Sequence, residues 1–238
     1  MKRALSGLVA AVSLSLIGSL ASAAGVYPTN QVGLDVSWPN CGVALPKAAF
    51  GIVGVTGGTA YSQNKCLAAQ AAAFGSNLSL YVNTGWNDQS PNINPTAPKK
   101  CAPADQVCVA YNYGFNSGWQ AFDTAVAAKA FSGGKWWLDV ETMNSWNEDI
   151  NQNRASIQGT FDALKARGVG TVGVYSTAYQ WDVITAGWQT GWPNWVATGT
   201  ENTFQAKRFC AGNNFTGGPT WLVQYIPRRP NLDHDLAC

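Results

Sequence analysis

Strand and helix signals alternate along this chain through its first five strands, and mostly strand signals follow. That order constrains the fold more than any other feature, because alternation of this kind builds a parallel sheet covered by helices. Strand patterns fall at residues 33–37 (GLDVS), 50–56 (FGIVGVT), 78–83 (LSLYVN), 136–141 (WWLDVE) and 171–175 (TVGVY). Helix patterns fall at 66–74, 118–131, 150–167 and 178–184. The first of these closes on Gly75, the second on Gly133-Gly134 and the third on Gly168, the usual stop for a helix. Short strands are expected at 195–198, 221–226 and 232–236, without a helical pattern between them. Residues 85–114, rich in Asn, Pro, Gly and Tyr, read as one long loop. The expectation is an α/β fold of the incomplete (β/α) barrel type, with an open doubly wound sheet as the alternative.

Residues 1–23 read as a secretory signal peptide: Lys2 and Arg3, an apolar run, then Ala21-Ser22-Ala23. The remaining residues, 24–238, read as one domain without a linker or repeat, and no second stretch is apolar enough to cross a membrane. Six cysteines, all beyond the leader, fit an exported disulfide protein. Fifteen connectivities are open. Pairing cysteines that neighbour one another in sequence gives Cys41–Cys66, Cys101–Cys108 and Cys210–Cys238. No C-x-x-C pair is present, so a zinc site is not expected.

Charged residues make up only 12% of the chain, and removal of Lys2 and Arg3 leaves 13 basic and 13 acidic residues. Nothing in that balance suits nucleic acid or an anionic membrane. No G-x-G-x-x-G follows a strand, and Gly54-Val55-Thr56-Gly57-Gly58 lacks a phosphate-binding lysine, so no cofactor is expected. His234 is the sole histidine and no G-x-S-x-G is present, which disfavours a serine triad and multi-histidine metal sites. Acid–base chemistry is left to carboxylates. Asp139 and Glu141 stand two apart at the C-terminal end of a strand, so both face one side. Asp35 lies late in the first strand. Asp233 and Asp235 share a face of the last strand, with His234 on the other. In a closed barrel the last strand lies beside the first, so these acids can converge at the mouth where barrel enzymes place their chemistry. Such a cluster suits glycosidic bond cleavage; a hard cation held by oxygen ligands is the other use for it. The chain also carries 11 Trp, 8 Tyr and 9 Phe, suited either to core packing or to a sugar-binding groove. Tyr81, Trp86, Tyr175, Trp181, Trp195, Trp221 and Tyr225 are the candidate stacking residues.

At these positions the chain resembles the family 25 glycoside hydrolases, secreted lysozymes that cut peptidoglycan, and more closely a related group of glycoside-hydrolase-like domains. The resemblance is carried by GLDVSWPN at 33–40, FGIVGVTGG at 50–58, WWLDVET at 136–142, GVGTVGVYS at 168–176, NWVA at 194–197, WLVQY at 221–225 and LDHDLAC at 232–238. It implies a modified TIM-like barrel of five β/α units and three further strands, acting on a polysaccharide of alternating N-acetylmuramic acid and N-acetylglucosamine. It further implies Glu141 as general acid, Asp139 as the assisting carboxylate, Asp35 as the first-strand aspartate, and Asp233 or Asp235 as the final one. The chain departs from that family after the second strand, where Val55-Thr56-Gly57-Gly58 replaces a Lys and a Thr-Glu-Gly. A non-catalytic wall-binding module on the same frame is the alternative function, and a stapled structural domain a third. The expectation is an exported monomer.

Overall fold

The computed structural model describes residues 26–130, 134–228 and 232–238. The expected leader at 1–23 lies outside them, as does part of the glycine stop expected at 133–134. Eight strands form one closed barrel. They are β1 (Val32–Val36), β2 (Gly51–Gly54), β3 (Leu78–Asn83), β4 (Lys135–Asp139), β5 (Thr171–Ser176), β6 (Asn194–Ala197), β7 (Thr220–Tyr225) and β8 (Asp233–Ala237). The first seven run parallel in sequence order, and β8 closes the barrel antiparallel between β7 and β1. Helices α1 (Leu67–Phe74), α2 (Gln106–Ala127), α3 (Ile150–Ala166), α4 (Ala178–Thr185) and α5 (Thr203–Ala206) follow β2 to β6 in turn, whereas β1 runs into a 3-10 turn, Trp38–Asn40. The expected barrel with five β/α units and three further strands is the architecture found. The three disulfides join the sequence-neighbouring cysteines, 41 to 66, 101 to 108 and 210 to 238.

Period-two alternation sorts each strand's side chains between two cores. Val53, Leu80, Trp136, Leu138 and Val174 face outward against Phe122, Ile157, Leu164 and Trp181 of the helical layer. Ile52, Trp137, Trp195 and Leu222 face inward and are joined by Phe50 and Tyr27. The interior is thus filled with large rings, and glycines on neighbouring strands make room for them. A Cβ at Gly173 would collide with the Trp137 ring, and one at Gly33 with Phe50. Tyr27 plugs the lower end: its hydroxyl meets Ser79 Oγ at 2.7 Å and accepts from Trp137 Nε1 at 2.9 Å. Because Trp137 points inward, Asp139 does too, and the same parity carries Asp35, Asp233 and Asp235 above the aromatic floor.

The loop expected at 85–114 is shorter than its composition suggests. Helix α2 starts at Gln106, capped by Asp105 Oδ1 accepting from Cys108 N at 3.0 Å. Asn112, Gly114, Asn116 and Gly118 read as helix breakers, yet each serves a tertiary contact. The Asn112 amide donates to the carbonyls of Asn94 and Lys99, at 3.0 and 2.7 Å, and Asn116 to that of Ala97 at 2.9 Å, which pins the remaining loop onto the helix. Gly114 and Gly118 let α2 run against α3, where a Cβ on Gly114 would strike the Ser156 carbonyl and one on Gly118 would come within 2.9 Å of the Thr160 oxygen. Gly159 answers from α3, against the backbone of Tyr111 and Phe115. Packing overrides propensity here. The four-residue α5 has no periodic signature and was not expected.

Gly159→Ala isolates this close approach, since alanine alone would favour the helix by ~1 kcal/mol. The collision should instead lower stability by about 2 kcal/mol, read as a lower urea midpoint. An unchanged or higher midpoint would contradict the close-packed crossing.

Candidate active site

A cleft of about 220 Å³ opens at the C-terminal mouth of the barrel. It is lined by Asp35, Asp139, Glu141 and Asp233, by Tyr81, Tyr175 and Trp195, and by Ser37, Pro39, Asn40 and Gln224. No basic side chain is among these described lining residues.

Asp139 ends β4 directly beside Asn83 of β3 in the strand register. The Asn83 amide donates to Asp139 Oδ2. Thr56, beyond β2, sets that amide's orientation: its hydroxyl donates to Asn83 Oδ1 at 2.6 Å and accepts from Asn83 N at 2.9 Å. Thr56, from the segment that lacks the Lys and Glu implied by the resemblance, therefore orients the partner of Asp139. A hydrogen bond from the Asn144 side chain also favours the ionised carboxyl. Burial, then the neighbouring charge of Glu141, holds this carboxyl well above its usual range.

Glu141 lies just past the end of β4, in the extended chain and half-buried. Its carbonyl is fixed by Asn144 N at 3.0 Å and Trp146 Nε1 at 2.8 Å. Burial raises its carboxyl, a hydrogen bond from Gln180 opposes the shift, and the charge of Asp233 adds to it. Gln180 is itself oriented, accepting from Thr142 N at 2.6 Å.

Strand closure supplies the other acids. Asp35 of β1 is paired across the β1–β8 ladder with Asp233. Burial, then the charge of Asp233, pushes Asp35 up to about 7 against the donation of Gln224 Nε2 to its Oδ2 at 3.0 Å. Gln224 is held by Tyr175, whose hydroxyl donates to its Oε1 at 2.8 Å. Asp233 opens on the cleft and is raised by burial. Asp235 lies one pleat deeper and is wholly buried. Trp195 Nε1 donates to its Oδ1 at 2.7 Å, and the protonated Asp235 carboxyl donates to that of Asp35. Burial, then the charge of Asp35, keeps Asp235 well above the usual carboxylate range.

Of the sequence-selected aromatics, Tyr81, Tyr175 and Trp195 line the cleft. The other four stand elsewhere. Trp86 packs under the loop against Val109 and Tyr113, its N–H on Gln152 Oε1 at 2.8 Å. Trp181 sits in the outer core, its N–H on the Trp188 carbonyl at 2.9 Å. Trp221 packs edge-on to Trp137. Tyr225 packs with Val223 and Leu236 beneath α5 and meets His234 Nδ1 at 3.3 Å. Sequence reasoning passed over Asn83, Thr56, Gln180 and Gln224; Gln224 stood inside a quoted motif, but neutral amides carry no titration signal. Among the described residues no group of three or more His, Cys, Asp or Glu is placed to hold a metal ion, and no helix is long and apolar enough to cross a membrane.

A family model described as lysozyme-like protein 1 matches residues 51–215. The chain belongs to this lysozyme-like family. Two curated relatives come from Dictyostelium discoideum. Probable GH family 25 lysozyme 5 is 37% identical over 71 residues, covering 28% of this chain and 33% of the relative. Probable GH family 25 lysozyme 4 is 28% identical over 156 residues, covering 63% of this chain and 71% of the relative. The modular autolysin LytC of Streptococcus pneumoniae, solved with a synthetic peptidoglycan ligand, superposes with a TM-score of 0.56 at 15% identity. That superposition covers 86% of this chain and 46% of LytC, and speaks to the fold alone.

The lysozyme-like site makes stability fall with rising pH. Carboxyls whose folded value is raised bind more protons in the folded than in the unfolded chain, so their contribution is complete below the unfolded value near ~4 and is lost as pH rises through the folded one. For Asp35 that window runs up to about 7. The thermal midpoint should drop by ~5 °C or more between pH 5 and pH 8, and Asp235→Asn should flatten the drop. A midpoint that is level or rises over this interval would sink the assignment.

Proposed function

We propose that the protein is an exported glycosidase cleaving a peptidoglycan-type amino-sugar polymer. The observation that carries this reading is the convergence of Asp35, Asp139, Glu141 and Asp233 on one cleft with no basic side chain among its described lining residues. Family membership and the lysozyme relatives supply the substrate class, and three disulfides with no membrane-crossing helix among the described residues suit an extracellular setting.

Asp139 and Glu141 interact closely enough to titrate as a pair, and the pair retains one proton to higher pH than free carboxyls do. Both line the cleft, but Glu141 is the more exposed of the two, so it delivers that proton to the glycosidic oxygen. With the pair's proton on Glu141, Asp139 carries the pair's negative charge, held by Asn83, and opposes the positive charge that grows on the sugar as the C–O bond breaks. Water adds to the sugar, and its released proton returns to Glu141. Tyr81 and Tyr175 remain neutral at working pH because burial raises their hydroxyls, and they serve as uncharged walls and donors. Asp35, raised to about 7, is largely protonated below neutrality and adds negative charge only as pH rises through it.

Reducing-end release from purified peptidoglycan tests the reading. Wild type should release sugar, fastest below neutrality and slower as the pair loses its proton. Glu141→Gln should lose about 10²–10⁴-fold in kcat with its thermal midpoint retained. Release by a folded Glu141→Gln protein at the wild-type rate would remove Glu141 as the acid; no release by wild type would leave a glycan-binding module as the reading. Asn83→Ala tests the pair separately. Without its donor Asp139 ionises at higher pH, so the alkaline limb should move upward while kcat falls, and an unmoved limb would separate Asn83 from the chemistry.

A further inference from the structure

Most rings near the mouth are committed to the interior, but Trp38 is not. It follows β1 on the 3-10 turn and is 51% exposed. An indole left this open forgoes the burial that stabilises most tryptophans, yet its turn is held at several points. Asn40 Oδ1 accepts from Ser37 N at 2.9 Å, and Asn40 N returns to the Ser37 carbonyl at 2.9 Å. Gln70 donates to that same carbonyl at 2.7 Å. The Cys41–Cys66 disulfide ties the turn to the start of α1. The indole nitrogen rests against Gly58, where φ is +99° and a Cβ would come within 3.0 Å of it.

The turn separates two hollows. Ser37, Pro39 and Asn40 line the carboxylate cleft. Trp38 and Cys41 line a recess of about 260 Å³, together with Gly57, Gln63 and Lys65. A linear ligand leaving the cleft across the turn enters a recess that offers an aromatic ring, an amide and an ammonium group. Lys65 supplies a cation where the described cleft lining has none.

We infer that this recess is a second sugar subsite, in which Trp38 stacks on an amino-sugar ring and Lys65 pairs with a carboxylate carried by that ring or by its peptide substituent. The inference rests on the reading of the cleft as a glycan site and extends it to recognition of an acidic substituent. The rigid turn presents the ring without an ordering cost on binding. Gln63 is placed to bond the sugar's amide group.

Calorimetric titration of the Glu141→Gln protein tests it with three probes: a peptide-bearing muropeptide dimer, a peptide-free muramic-acid tetrasaccharide, and chitotetraose, which has no carboxylate. Adding Trp38→Ala should weaken all three by about tenfold, and Trp38→Tyr should restore most of the loss. Lys65→Met should weaken only acidic probes, most in low salt. Loss on the tetrasaccharide assigns the ring carboxylate, and loss on the dimer alone assigns the peptide. Trp38→Ala proteins with an unchanged thermal midpoint that bind as tightly as the parent, or a parent that binds no probe, would overturn the subsite. Hydrolysis by wild type together with Trp38-independent binding would discard the recess and keep the glycosidase; Trp38-dependent binding without hydrolysis would do the reverse.

Discussion

Closure of the barrel by an antiparallel strand is the constraint on which the rest of this structure depends. Seven parallel strands would carry Asp35 and Asp139 at one end and leave β1 and β7 each with one open edge. Inserting β8 between them brings Asp233 level with Asp35 and Asp235 level with Gly33. The acidic character of the cleft is therefore a product of strand register. Because side chains alternate, a slip of one residue would replace Asp233 and Asp235 with His234 on the inner face.

Clustering carboxyls above an aromatic floor costs solvation, and the surroundings offset it with neutral donors. Asn83 serves Asp139, Gln180 serves Glu141, Gln224 serves Asp35 and Trp195 serves Asp235. Amides and an indole favour the ionised form less than a lysine or arginine would, so the carboxyls stay raised and hold protons toward neutrality. The same donors are themselves fixed, Asn83 by Thr56 and Gln224 by Tyr175. The interior below is dense for a related reason: wide rings sit opposite glycines, and the floor of the cleft has little freedom to relax around a charge.

Much of this frame was legible in the sequence, because period-two patterns at Asp35, Asp139 and Asp233 report a face whatever the fold. The cysteines paired as sequence proximity suggests. The front half of α2 was not legible. Asn112, Gly114, Asn116 and Gly118 are poor helix formers in isolation, and their value appears only against α3 and the loop they pin. Aromatic roles were not legible either: Trp86 and Trp181 fill cores while Trp38 stands open, and composition does not separate the two. The choice between Asp233 and Asp235 needed the β1–β8 pairing, and the supporting amides needed the third dimension altogether.

Burial, with no basic side chain among the described lining residues, keeps this cluster protonated toward neutral pH. Carbon-13 NMR titration of labelled Asp and Glu carboxyls tests it most directly. A group of carboxyl signals should titrate well above the usual ~4, with one near about 7 that disappears in Asp35→Asn. If every carboxyl in the folded protein titrated in the ordinary range, the cluster would be fully ionised at working pH, and the acid role built on it would be contradicted.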